Sequence, residues 1–287
     1  MPFPDPPALV STNWLAEHLD DSRLHVVDAS WYLPAAGRDA RAEFLAGHVP
    51  GARFLDLDAA SAPHPHLPHM LPAARQLGRD AAALGIGADA RVVFYDGSGT
   101  NLSAPRAWFV LRAYGHPWVA VLDGGFRKWA AEGRPVERGP EGTMRAPAEP
   151  WTPVLDPRRV RDRSAMLATI ASDAAQVVDM RSVGRFTGTE PEPRAGLRGG
   201  HIPGSLNLPF TELAAPDGTQ LAPAALRARL AAAGVDLTRP VVGTCGSGTS
   251  ACALLLALAH LGHDDWALYD GAWTEWGADL ELPVERG

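Results

Sequence analysis

The chain has 287 residues, 46% hydrophobic and 21% charged, with a formal net charge of −7 at neutral pH. Those proportions are ordinary for a globular protein and exclude the disordered and collagen-like classes, while the acidic balance leaves no basic footprint for nucleic acid. The length is too great for one ordinary core and suggests two domains of about 140 residues each.

No apolar stretch reaches the roughly 18 residues of a membrane span; the longest, around Ala251–Leu261, is interrupted by His260. Met1-Pro2-Phe3-Pro4-Asp5 lacks the basic and apolar regions of a signal peptide, so a cytoplasmic address is expected. The two cysteines, Cys245 and Cys252, are too few for a disulfide scaffold and read as free thiols in a reducing compartment.

Taken in chain order, four signals stand out in the first half: Val26-Val27-Asp28, His48-Val49-Pro50-Gly51-Ala52, Asp96-Gly97-Ser98-Gly99-Thr100, and Asp123-Gly124-Gly125-Phe126 followed by Trp129. They return in the same order as Val177-Val178-Asp179, His201-Ile202-Pro203-Gly204-Ser205, Cys245-Gly246-Ser247-Gly248-Thr249, and Asp270-Gly271-Ala272-Trp273 followed by Trp276. The offset stays at roughly 150 residues, and four collinear matches mean a duplicated domain. Between the copies, Gly139–Pro157 carries five prolines without periodicity and reads as a linker. The expected division is therefore 1–138, a linker at 139–157, and 158–287.

In the second half, Gln176–Asp179, Pro240–Thr244 and Trp266–Tyr269 read as buried strands. Ala224–Ala233 and Ser250–Leu261 read as helices, each closed near a glycine, Gly234 and Gly262. Strands alternating with helices predict an α/β fold: two tandem domains, each a mainly parallel sheet flanked by helices.

The strand before Cys245 runs straight into it, and a helix is expected from about Ser250. The loop between holds Gly246 and Gly248, which let successive backbone N–H groups turn toward one point, an anion nest at a helix N-terminus that suits a thiolate. On these residues alone, a small buried cysteine at a tight turn is an equal alternative. Cys252, inside the apolar helix, reads as core. Because the His-x-Pro-Gly turn also occurs in the half without the cysteine, His48 and His201 read as structural, and Trp129 and Trp276 as core. His64, His66 and His69 read as incidental neighbours in a polar loop, and no metal or other cofactor is expected. The Asp96 loop lacks the sixth-position glycine and the distant glutamate of a calcium loop.

The Cys-initiated six-residue loop, the His-(Ile/Val)-Pro-Gly segment in each half and the Asp-Gly-x-x-x-x-Trp segment after it resemble the tandem-domain rhodanese superfamily. The resemblance spans Val26 to Trp276. Within it, Cys245-Gly246-Ser247-Gly248-Thr249-Ser250 resembles the loop of the 3-mercaptopyruvate sulfurtransferases, typically Cys-Gly-Ser-Gly-Val-Thr; Thr249 and Ser250 depart from it. Thiosulfate sulfurtransferases usually carry Arg and Lys where Gly246 and Ser247 stand.

The resemblance implies that 158–287 is the catalytic domain, that 1–138 is non-catalytic with Asp96 in the nucleophile's place, and that Cys245 carries sulfur as a persulfide. It implies a donor site made by the loop residues Gly246, Gly248, Thr249 and Ser250 with Arg185 and Arg194, which residue type alone would leave as solvated surface arginines. It further implies a relay in which Asp58 orients His69 and His69 polarises Ser247. The expected partners are 3-mercaptopyruvate and a thiol or thioredoxin-type acceptor. Two other readings stay open: a thiosulfate sulfurtransferase and a catalytically idle sulfur-binding scaffold. A Cys-x5-Arg phosphatase is excluded, because Ala251 stands where its arginine is needed.

Overall fold

The structure, a computed structural model, describes residues 6–142, 147 and 149–287. Met1–Asp5 and, within the expected linker, 143–146 and 148 lie outside the described residues.

The chain forms two compact units that are not contiguous in sequence. The first comprises Met1–Ala62, Pro72–Leu155 and Ala214–Gln220; the second comprises Pro63–Leu71, Asp156–Leu213 and Leu221–Gly287.

In the first unit, β1 (Leu9–Val10), β2 (Leu24–Asp28), β3 (Arg53–Phe54), β4 (Arg91–Tyr95) and β5 (Val119–Leu122) form an all-parallel sheet in the order β1-β5-β4-β2-β3. In the second, β6 (Val160–Arg161), β7 (Gln176–Asp179), β8 (Leu206–Asn207), β9 (Val241–Thr244) and β10 (Trp266–Tyr269) repeat that order as β6-β10-β9-β7-β8, again all parallel. Parallel pairing forces each connection to cross a face of the sheet, so the middle strands are buried on both sides and carry short apolar runs such as Val119–Leu122 and Trp266–Tyr269.

The three strands expected in the second half form within one residue of their sequence bounds. The second of them starts at Val241 because Pro240 lacks an N–H; the Pro240 carbonyl instead accepts Gln176 N–H at 2.9 Å. The expected helices form at Pro223–Ala232, with proline in the first turn, and Ala251–His260. Gly234 (φ 85°) and Gly262 (φ 77°) follow them in the left-handed region, as helix closure requires. Ala251–Leu258 is buried throughout, consistent with a helix that is apolar on every side.

Trp129, Trp273 and Trp276 are buried in the two cores. The two His-x-Pro-Gly turns are built alike. His48 stacks on Phe44 and His201 on Phe186, and each ring Nδ1 pairs with the carbonyl of the residue it stacks on, at 2.8 and 2.9 Å. These histidines close turns.

From β7 the chain passes toward the edge strand β8, whereas from β9 it passes the other way, to β10. The crevice beyond the carboxyl ends of β7 and β9 is therefore the topological switch point of the second unit, where open parallel sheets bind ligands.

Candidate active site

β9 delivers Cys245 to that crevice with 1% of its surface exposed. The carbonyls of Cys245 and Gly246 accept the N–H groups of Trp273 and Thr274, both at 2.9 Å, from the helix Ala272–Trp276. In a trans peptide the N–H points opposite to the carbonyl, so the N–H groups of Gly246 and Ser247 face the other way. Gly248 at φ 78° then turns the chain into the helix Ala251–His260. Among the described residues, the N–H groups of Gly246, Ser247 and Thr249 donate to no protein acceptor. They form a concave donor set beside the positive end of a helix, suited to a negatively charged atom.

The duplicate loop in the first unit shows what such a set does when a carboxylate stands in the cysteine's place. Phe126 N–H donates to the Asp96 carbonyl at 3.0 Å, as Trp273 does to Cys245. The Asp96 side chain accepts from the N–H groups of Ser98, Ser103 and Ala104, all at 2.9 Å, and from Ser98 Oγ at 2.5 Å. In the first unit the anion is the protein's own carboxylate, fully buried.

Beyond β7 lies a cluster of charges. Asp179 grips the buried Arg181 through both carboxylate oxygens, and Glu192 accepts from Arg181 Nη1 at 2.7 Å. The other side of Glu192 holds Arg185, with Nε at 3.2 Å and Nη2 at 2.6 Å. One edge of the Arg185 guanidinium is thus fixed by a buried carboxylate, and Nη1 points elsewhere. Arg185 lies directly over the cysteine loop: a Cβ built on Gly246 would stand 2.7 Å from Arg185 Nη2. Arg194, farther along the same segment, is half-buried.

His69 belongs to the second unit. It is 3% exposed and takes a left-handed backbone, φ 59°. Its Nδ1 lies 3.2 Å from Ser247 Oγ and 3.1 Å from Thr249 Oγ1. The segment is anchored by Leu71 N–H, which donates to the Asp270 carboxylate at 2.8 Å, and the first unit repeats this anchor with Gln220 N–H and Asp123 at 2.7 Å. Asp58 belongs to the first unit, where it accepts from Trp31 Nε1 at 3.1 Å. Ser250 precedes the helix without a side-chain cap, and Cys252 is fully buried, its thiol directed at the Gly248 carbonyl. His64 Nδ1 accepts the N–H groups of His66 and Leu67 and so shapes its own turn.

The second unit thus gathers Cys245, Ser247, Thr249, His69 and Arg185. Sequence reasoning missed Arg181, Glu192 and Asp270 as parts of the site. Asp-x-Arg at the end of a buried strand was the available signal for Arg181, and the repeated Asp-Gly motif for Asp270; nothing local marked Glu192.

The rhodanese-like domain model matches the chain twice, at residues 11–132 and 163–279. The 3-mercaptopyruvate sulfurtransferase of Rattus norvegicus is 45% identical over 276 residues, which cover 94% of this chain and 91% of the relative. The thiosulfate sulfurtransferase of Bos taurus is 42% identical over 275 residues, with the same coverage. Among solved structures, the 3-mercaptopyruvate sulfotransferase SseA from Escherichia coli matches with a TM-score of 0.82 at 36% identity, over 93% of this chain and 99% of that one. With two matching domains and full-length relatives of this similarity, the chain belongs to the rhodanese family.

Proposed function

We propose that the chain is a 3-mercaptopyruvate sulfurtransferase that carries sulfur on Cys245, with 158–287 as the catalytic domain, 1–138 as its non-catalytic partner and 139–157 as the linker. The observation that carries the choice of donor is the position of Arg185 over Gly246. An arginine side chain at 246, as in thiosulfate sulfurtransferases, needs the space that the Arg185 guanidinium occupies. With glycine there, the cation over the loop is a fork held by Glu192, a shape that suits a planar 2-oxo acid.

In the first half-reaction the Cys245 thiolate attacks the sulfur of 3-mercaptopyruvate. An S–S bond forms, the C–S bond breaks, and its electron pair leaves as the enolate of pyruvate. The proton that began on the donor's thiol ends on the pyruvate methyl group, passed through Ser247 and His69. Arg185 and Arg194 hold the donor's carboxylate and keto oxygens, and the N–H groups of the loop from Gly246 to Ser250 stabilise the persulfide anion. Asp58 is the third relay member, a role that rests on the family resemblance. In the second half-reaction a nucleophile takes the outer sulfur and returns the thiolate; cyanide leaves as thiocyanate. A thiol or a thioredoxin-type protein in a reducing cytoplasm is the proposed cellular acceptor.

The test is thiocyanate formation from cyanide with 3-mercaptopyruvate or thiosulfate as donor, alongside Cys245→Ser. The expected result is a preference for 3-mercaptopyruvate, abolished in the variant, with one sulfur atom gained per chain by intact mass. A thiosulfate preference, which the similarity to the bovine thiosulfate enzyme makes the second reading, overturns the donor assignment and keeps the nucleophile. No sulfur gained from either donor overturns both.

A further inference from the structure

His69 Nδ1 has two hydroxyl partners, Ser247 Oγ at 3.2 Å and Thr249 Oγ1 at 3.1 Å. His69, Ser247 and Thr249 are 3%, 6% and 3% exposed, so bulk water does not compete for these bonds. One ring nitrogen offers either a single lone pair or a single N–H, and so makes one good hydrogen bond at a time. Two hydroxyls at one nitrogen therefore alternate. When the Ser247 hydroxyl turns away, Thr249 is already in place to pair with Nδ1, and the ring does not move. Without Thr249, the same turn takes a buried hydrogen bond from the ring nitrogen.

We propose that Thr249 is a positioning residue for sulfur transfer: it holds His69 Nδ1 while the Ser247 hydroxyl is turned to the departing enolate. The inference rests on the Cys245 chemistry proposed above and deepens it, because it makes the relay a pair of hydroxyls on one imidazole. Valine, the typical residue of the resembling loop at this position, has the shape of threonine without its hydroxyl, so Thr249→Val is the direct test.

The experiment compares Thr249→Val, Thr249→Ser, Ser247→Ala and the Ser247→Ala/Thr249→Val double variant. The readouts are kcat, KM and the pH profile with 3-mercaptopyruvate, and the imidazole nitrogen NMR signals of His69 without donor. Thr249→Val is expected to lower kcat about three- to tenfold, the worth of one buried hydrogen bond, with KM unchanged and the pH profile altered. Thr249→Ser restores both. The double variant loses more than the product of the single losses, because no hydroxyl remains at Nδ1. A wild-type kcat and pH profile in Thr249→Val overturns the inference, as does a double variant no slower than Ser247→Ala. The NMR signals separate this from the choice of donor. If the wild type releases no pyruvate, the donor reading falls; an Nδ1 signal displaced by Thr249→Val still supports the paired hydroxyls, and an unmoved signal overturns them.

Discussion

A methyl group on residue 246 would come within 2.7 Å of Arg185 Nη2, the far end of a flexible side chain. Gly246 is outside the left-handed region, so alanine fits the backbone there and acts by displacing the guanidinium. Glu192 holds the same Nη2 together with Nε, so the methyl group presses on an edge that is already anchored. Gly246→Ala is accordingly expected to raise KM for 3-mercaptopyruvate about three- to tenfold while kcat stays within about twofold, as when a binding contact is lost equally from ground and transition states. Steady-state kinetics checks this, and an unchanged KM would remove Arg185 as the donor's anchor. Much of this candidate site was legible in sequence: Cys245, the loop glycines and Arg185 each lie in a short pattern. Glu192 was not, because its importance comes from bridging two arginines, and no local pattern says which carboxylate will be buried between them.

At the scale of elements, the same strand–loop–helix unit recurs in both halves with different chemistry. The loop after β4 wraps three backbone N–H groups around the Asp96 carboxylate, whereas the loop after β9 leaves the N–H groups of Gly246, Ser247 and Thr249 without a protein acceptor among the described residues. Asp96→Ala strips the acceptor from Ser98, Ser103 and Ala104 and opens the start of the helix Ala104–Ala113. The expected cost is about 2–4 kcal/mol, measured by urea denaturation, with Asp96→Asn in between. A loss below about 0.5 kcal/mol would mean that the first loop stands without its internal anion. The motif matches made this duplication visible in sequence. They could not show that Asp123 and Asp270 both serve as acceptors for an N–H from another segment, since each partner lies about a hundred or more residues away.

For the molecule as a whole, stability against acid is set in part by His116, which is 1% exposed and packed edge-on to Trp151. Burial pushes its imidazole down to about 4, below the 6.5 of an ordinary histidine. The unfolded chain therefore binds this proton more readily than the folded one. The contribution of His116 is fully present above about pH 6.5 and is lost progressively as pH falls toward 4, at a cost of about 2–3 kcal/mol. Denaturation midpoints at pH 7 and pH 4.5 should separate in the wild type and converge in His116→Gln. Equal separation in both would place the acid sensitivity elsewhere.

The sequence by itself determined the duplication and the two parallel sheets, and it singled out Cys245 as the candidate nucleophile. Buried runs, glycines at turns and repeated motifs are local signals that the physics of strands and helices reads directly. Tertiary structure alone decided that Pro63–Leu71 packs within the second unit and Ala214–Gln220 within the first. The family resemblance implied the pairing of His69 with Ser247, 178 positions away, and tertiary structure alone set Thr249, 180 positions away, at the same ring nitrogen. Contacts of that range depend on side-chain direction after the core has closed, and a departure such as Thr249 acquires a role only when a buried ring stands opposite its hydroxyl.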